Sequence, residues 1–127
     1  MIRALRPVRT PAWFLGSVLA GLIPAAAYAH AIVLESSPRP GAVLARPPAQ
    51  ITLRFNSKIE KRFTRLTLAT GNQPPAPVTA ASDEPAAADR LVIPIRSLAP
   101  GDYTLRYRVL AVDGHITEGA LRFTVEP

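Results

Sequence analysis

Alternation of apolar and polar residues near the C-terminus constrains this chain more than any other feature of its sequence. From position 103 to 111 every second residue is apolar or aromatic, and the alternation returns from Leu121 to Val125. A period of two residues is typical of a β-strand with one buried face, because successive side chains leave a strand on opposite sides. The two segments therefore predict paired strands with a shared set of core residues: Tyr103, Leu105, Tyr107, Val109, Ala111, Leu121, Phe123 and Val125.

Shorter runs of the same kind predict further strands at 31–35, 50–55, 65–68 and 91–95, with prolines and Pro-Gly pairs between them. No segment shows helical periodicity. Six or seven short strands separated by turns indicate an all-β domain, either a β-sandwich or a Greek-key barrel. The segment 71–89 is rich in Pro, Ala and small polar residues, so we expect a long, mobile surface loop there.

The first 29 residues have the three parts of a secretory signal peptide. A basic start is followed by an apolar run from Trp13 to Ile23 and by the small-x-small ending Ala27-Tyr28-Ala29. The run is too short and too interrupted for a membrane-spanning helix, which needs about 20 apolar residues. Cleavage after Ala29 would leave residues 30–127 as one exported domain. Ala29-His30-Ala31 is also small-x-small, and cleavage there would remove His30.

The charge of the mature chain gives little reason to expect a nucleic-acid partner. The formal net charge is +6, but the leader contributes three arginines and no acidic residue to it. The exported chain is therefore only half as basic as the full sequence, and no nucleic-acid binding is expected.

The supply of metal ligands is narrow. The chain has no cysteine, a single methionine at position 1 and two histidines, His30 and His115. A mature N-terminal His30 would offer its free α-amine and an imidazole nitrogen to one ion, and such a nitrogen-rich, near-planar set favours copper(II). Asp113 and His115 are one residue apart, so in extended backbone their side chains would leave the same face. Together with His30 they would supply three nitrogens and one oxygen.

The same motif also has a simpler interpretation. Asp113-Gly114 between two alternating runs is a strong hairpin signal. Taken alone it favours a turn, with His115 an exposed bystander, in which case the domain would be a metal-free interaction module.

The combined pattern resembles the CopC family of periplasmic copper-resistance proteins, and the resemblance covers essentially the whole of 30–127. It rests on these segments: His30 to Pro38 directly after a leader, Pro40-Gly41, Ile51 to Phe55, Leu98 to Val109, Asp113-Gly114-His115 and Gly119 to Phe123. The resemblance implies an immunoglobulin-like Greek-key fold of about seven strands and a periplasmic location. It also implies one copper(II) ion per chain, held by the amine and imidazole of His30 and by Asp113 and His115.

The resemblance further implies a role in copper homeostasis or resistance. The protein would be a monomeric carrier or sequestering agent without catalysis, delivering copper to a CopD-type inner-membrane transporter. Relatives with a copper(I) site use a Met-rich loop, whereas 71–89 has no methionine, which indicates the copper(II)-only subgroup. Many relatives also carry a Glu where this chain reads Phe55-Asn56-Ser57-Lys58. An acidic partner for the amine would then be missing unless Glu35 or Glu60 replaces it.

Two other features admit a function. A basic cluster is interpreted as a solvated strand edge, or else as a surface that docks on an acidic membrane face or a membrane protein: Arg54, Lys58, Lys61, Arg62 and Arg65. An N-terminal copper-binding histidine on a β-sandwich is also found in lytic polysaccharide mono-oxygenases. The aromatic residues of this chain lie mostly at core-facing positions, so we do not expect an enzyme.

Overall fold

The computed structural model describes residues 31–81 and 87–127, and within them the chain forms eight β-strands and one short 3-10 turn. The strands are β1 (Val33–Ser37), β2 (Ala42–Leu44), β3 (Gln50–Phe55), β4 (Arg65–Thr70), β5 (Ala76–Val78), β6 (Arg90–Pro94), β7 (Gly101–Leu110) and β8 (Ile116–Val125), and the 3-10 turn is Lys61–Phe63. No helix of the described residues is long and apolar enough to cross a membrane. The predicted leader, residues 1–29, lies outside the described part of the chain.

The strands form two sheets that pack face to face as an immunoglobulin-like sandwich, as expected. One sheet has the order β1-β3-β6, and the other has the order β2-β8-β7-β4-β5. All neighbours are antiparallel except β2, which pairs in parallel with β8. The long hairpin β7–β8 is the centre of the larger sheet.

The predicted core is confirmed at nearly every position. Ile51, Leu53 and Phe55 of β3 are at most 1% exposed, and they face the buried residues of β7 and β8 across the sandwich. Tyr103 stacks on Phe123 with ring centroids 5.4 Å apart, within the range of favourable aromatic pairs. The core is apolar throughout, with no buried charged residue in the described segments.

One predicted core residue, Tyr107, is only partly buried, because its ring lies across the neighbouring strand. It is register-paired with Gly119 of β8, and a Cβ at that position would overlap the phenol ring. Glycine at 119 therefore leaves the space that Tyr107 occupies. The same ring makes an edge-on contact with Phe55 of the opposite sheet.

The prediction of a structureless loop over 71–89 is wrong for part of that segment. Ala76–Val78 form β5, which pairs with β4 at the edge of the larger sheet. Pro77 lacks a backbone donor, and prolines in sheets are confined largely to such edges. Residues 82–86 of the segment lie outside the described residues. The three-residue strand β2 was also not predicted, because it is too short to show a period of two.

Candidate metal site

The candidate ligands Asp113 and His115 lie in the loop that joins β7 to β8. The backbone N–H of Ala111 donates to the carbonyl of His115 at 2.9 Å, and Gly114 donates to the carbonyl of Ala111 at 2.9 Å. Gly114 has φ +91°, a conformation that strains any residue with a Cβ. The hairpin predicted from Asp113-Gly114 is therefore confirmed.

The loop also brings the two candidate ligands into contact, but with a backbone conformation different from the predicted one. The expectation of extended backbone at 113–115 is wrong, because these residues form a turn. The Asp113 carboxylate accepts a hydrogen bond from the backbone N–H of His115 at 3.0 Å, a local pattern that Asp often adopts in turns. The His115 side chain then lies beside the same oxygen, with Nδ1 3.2 Å from Oδ1.

Hydrogen bonding keeps the Asp113 carboxylate ionised. The backbone N–H of His115 lowers the pKa of Asp113 most, and the His115 side chain lowers it further. A metal-ligating carboxylate must be deprotonated, so the turn prepares this oxygen for a cation. Both side chains remain open to solvent, at 36% exposure for Asp113 and 55% for His115.

His30, the third predicted ligand, lies outside the described residues. Within 31–81 and 87–127 no three His, Cys, Asp or Glu residues cluster in a way that could hold a metal ion. The described part of the chain thus supplies two of the predicted ligands, Asp113 and His115, and no further group joins them there.

The start of the described chain lies at the same end of the sandwich as this turn. Ile32 exchanges hydrogen bonds with Asn56: its N–H donates to the Asn56 side chain at 2.8 Å, and its carbonyl accepts from the Asn56 N–H at 2.9 Å. Two residues further on, the carbonyl of Lys58 accepts from the N–H of Val112 at 3.1 Å. The segment 56–59 therefore links the first described residues to the loop that carries Asp113 and His115.

Asn56 was not predicted to have this role. In the sequence it stood out only as part of the segment 55–58, where many relatives of the resembled family carry a Glu. Its side-chain oxygen accepts from the backbone N–H of Ile32, which lies just before β1 begins. Asparagine directly after a strand commonly bonds to nearby backbone, but the partner here is 24 positions away, and only the fold identifies it.

Of the two acidic residues suggested as partners for the N-terminal amine, Glu35 is already engaged. Its carboxylate binds Arg54 through two contacts of 3.0 and 3.1 Å across β1 and β3. The hydrogen bond and charge of Arg54 lower the pKa of Glu35. Glu60 lies before the 3-10 turn, where its backbone N–H donates to the carbonyl of Leu110 at 2.8 Å.

The interpretation of the basic cluster as a strand edge is wrong. Arg54 lies on β3 and Arg65 on β4, and each strand has a neighbour on both sides. Lys61 and Arg62 belong to the 3-10 turn, where the guanidinium of Arg62 lies 4.7 Å from the ring centroid of Phe63. The five residues therefore do not form one strip along a strand edge: Arg62 shares one groove with Arg65 and another with Lys61.

Comparison with known proteins agrees with the observed fold. The CopC domain model matches residues 33–126. Copper resistance protein C of Xanthomonas campestris pv. juglandis is 32% identical over 115 residues, which are 86% of this chain and 90% of that protein. Among solved structures, CopC from Methylosinus trichosporium OB3b has a TM-score of 0.68 at 28% identity, covering 77% of this chain and 95% of that one.

PcoC from Escherichia coli, described as a methionine-rich copper resistance protein, has a TM-score of 0.62 at 29% identity. The alignment covers 76% of this chain and 99% of PcoC. The family match spans most of the sequence and both layers of the sandwich. Two of these relatives are described as copper resistance proteins, and the family match shows that this chain belongs to the CopC family.

Proposed function

We propose that the exported protein binds one copper(II) ion through the amine and imidazole of His30 together with Asp113 and His115. The observation that carries the proposal is the contact between Asp113 Oδ1 and His115 Nδ1, 3.2 Å apart in a solvent-open turn. Two donors in adjacent positions on one ion, each at roughly 2.0–2.1 Å, are separated by about 2.9 Å. The turn thus holds an oxygen and a nitrogen close to the spacing that a shared ion requires.

The connection through residues 56–59 supports the participation of His30. His30 precedes Ile32 by two residues, and a chain extends by at most about 3.6 Å per residue. Ile32 is hydrogen-bonded to Asn56, and Lys58 is hydrogen-bonded to Val112, the neighbour of Asp113. The proposal therefore needs an N-terminal His30 to reach no more than about 7 Å from Ile32, at the end of the domain that carries the turn.

The chemistry of the available donors favours copper(II) over copper(I). Copper(I) prefers thiolate and thioether ligands, whereas the chain has no cysteine and its one methionine is Met1, within the predicted leader. PcoC, by contrast, is described as methionine-rich. Imidazole, amine and carboxylate are the ligand types that remain.

The exposed position of the site suits a carrier or sequestering agent rather than an enzyme. With Asp113 and His115 both partly open to solvent, a bound ion can be taken up from, or passed to, another protein without opening the core. The signal-like leader supports an exchange in the periplasm, and the family resemblance suggests a CopD-type membrane transporter as recipient.

The first prediction tests the ligand set. His115→Ala and Asp113→Ala should each weaken copper(II) binding by roughly 100-fold or more, since even groups that only support a ligand contribute 10- to 100-fold. A chain that retains Ala29 before His30 should bind weakly for the same reason, because its amine is blocked. Competition titrations with copper(II) and copper(I) chelators measure both effects, after intact mass has established a start at His30.

Glu126→Ala is the matched control, because it removes an exposed carboxylate just after β8, at the opposite end of that strand from the turn. It should leave copper(II) affinity unchanged. Parent-like affinity in His115→Ala would show that the turn is only a turn. Tight copper(I) binding by the parent would contradict the choice of oxidation state.

A further inference from the structure

The outer face of the larger sheet carries an arginine cluster that the proposed copper site does not use. Arg65 of β4 lies directly opposite Arg108 of β7, and Arg106 is the next outward residue on β7. Arg62 of the 3-10 turn lines the same groove as Arg65 and Arg108. We refer to Arg62, Arg65, Arg106 and Arg108 as the arginine face.

Like charges directly opposite one another on adjacent strands destabilise a sheet. One acid offsets the cluster: Glu118 of β8 contacts the Nε of Arg108 at 3.2 Å and is itself 71% exposed. The described residues place no carboxylate within ion-pair distance of Arg65 or Arg106. The arginine face thus carries several positive charges that the described residues leave largely uncompensated.

Two adjoining grooves give this face its shape. One is lined by Arg62, Phe63 and Ile116 among others, and the second by Arg106, Glu118 and Ala120 among others; each measures about 450 Å³. Arg65 and Arg108 line both grooves and therefore lie between them. Phe63 and Ile116 are 53% and 50% exposed, so the first groove also offers apolar surface.

We propose that the arginine face docks an extended acidic segment of a partner protein. Guanidinium groups bind carboxylates through two parallel hydrogen bonds, and Arg65 and Arg108 are positioned to receive carboxylates from either groove. Phe63 and Ile116 would contact an apolar side chain of the same segment. A concave face with planar donors matches a peptide better than the flat surface of a membrane.

The arginine face is continuous with the turn that carries the candidate ligands. Ile116 of the first groove follows His115 directly in the chain, so a docked partner would lie beside that turn. The docking itself does not depend on copper. Its use in copper transfer rests on the proposed function.

The second prediction tests the arginine face with a short fluorescent peptide in which Glu and Thr alternate around a central Leu. The exported protein should bind it, and binding should weaken as salt is raised, because exposed charges are screened. Arg65→Gln combined with Arg108→Gln should weaken binding roughly tenfold or more, as expected for loss of hydrogen bonds to charged groups. Fluorescence anisotropy measures the effect.

Arg39→Gln combined with Arg96→Gln is the matched control, since it removes the same charge from exposed positions off the arginine face. It should change the affinity about twofold or less. An equal loss in both double variants would overturn the proposal, because net charge alone would then explain binding. No binding of the peptide by the parent would also overturn it, and so would binding to phosphatidylglycerol vesicles in its place.

Two further measurements on the Arg65→Gln, Arg108→Gln variant separate this proposal from folding defects and from the copper site. Its thermal unfolding midpoint should equal or exceed that of the parent, because a like-charge pair has been removed. Its copper(II) affinity should match that of the parent. The peptide assay contains no metal, so it can succeed or fail independently of the proposed copper function.

Discussion

The β7–β8 hairpin and the loop at its tip are held by different interactions. Along the strands, Leu105, Val109 and Leu121 are at most 3% exposed, and their positions follow from removing apolar area from water. In the loop, residues 112–115 are all exposed, and a few polar contacts fix their conformation. Stability should therefore depend on the strands and metal binding on the loop. A substitution in one region should have little effect on the property that the other region determines.

The largest effect is expected from truncating Phe123 in the core of β8, which should lower stability without changing copper binding. The third prediction is that Phe123→Ala lowers the free energy of unfolding by about 3–5 kcal/mol, because a buried aromatic ring that stacks on Tyr103 is replaced by a cavity. Copper(II) affinity, measured where the variant is still folded, should remain close to that of the parent. Urea unfolding followed by chelator competition measures both quantities.

Val43→Ala is the matched control for apolar truncation, since Val43 is 61% exposed on β2. It should change stability by no more than about 0.5 kcal/mol, as is usual for surface substitutions. His115→Ala should behave like this control in stability while losing copper affinity. If folded Phe123→Ala lost copper as His115→Ala does, core packing would be setting the geometry of the loop.

The same division explains how much could be predicted from the sequence. Long strands with one buried face show a period of two residues, so the core of β7 and β8 was predicted almost residue by residue. β2 and β5 have three residues each and leave no such period. Their places depend on the neighbours with which they pair.

The candidate site was only partly predictable for a related reason. Asp113 and His115 are close in sequence, and their side chains were expected on one side of the chain. The structure brings them into contact through a turn rather than through extended backbone. The bond from Ile32 to Asn56 and the opposition of Arg65 and Arg108 join residues distant in sequence. Such contacts depend on strand register, which a single sequence does not display.

Asn56 directly follows β3 and binds the backbone that leads toward His30, so its substitution should affect both stability and copper binding. The fourth prediction is that Asn56→Ala lowers the free energy of unfolding by about 1 kcal/mol, the usual net contribution of one hydrogen bond. Copper(II) affinity should fall several-fold, because the residues that follow His30 lose an anchor beside the loop. Chemical unfolding and copper(II) competition measure the two effects.

Asn56→Asp keeps an acceptor for the Ile32 N–H and should restore most of both quantities. Ser57→Ala is the neighbouring control, because within residues 31–81 and 87–127 the Ser57 hydroxyl bonds locally, to the carbonyl of Lys58. An Asn56→Ala variant with unchanged copper affinity would show that the position of the N-terminal segment does not depend on this bond.

The smallest effect belongs to the Glu35–Arg54 pair, which lies in the smaller sheet. Arg54 lowers the pKa of Glu35 below its ordinary 4.5 through a hydrogen bond and its charge. A carboxyl whose pKa is lower in the folded state contributes stability at pH values above its unfolded pKa. That contribution is lost as the pH falls through the lowered value.

The fifth prediction follows from this sign. The parent should be slightly more stable than Glu35→Gln above pH 4.5, and the difference should shrink to nothing on further acidification. Glu35 is 70% exposed, so the effect should be small and should diminish in high salt. Unfolding curves over a pH series, with Arg54→Gln and the double variant completing a mutant cycle, isolate the contribution of the pair.

A stability difference that grew on acidification would mean that the Arg54 contact is not its source. A change in copper(II) affinity at neutral pH would mean that this ion pair of the smaller sheet also contributes to the site.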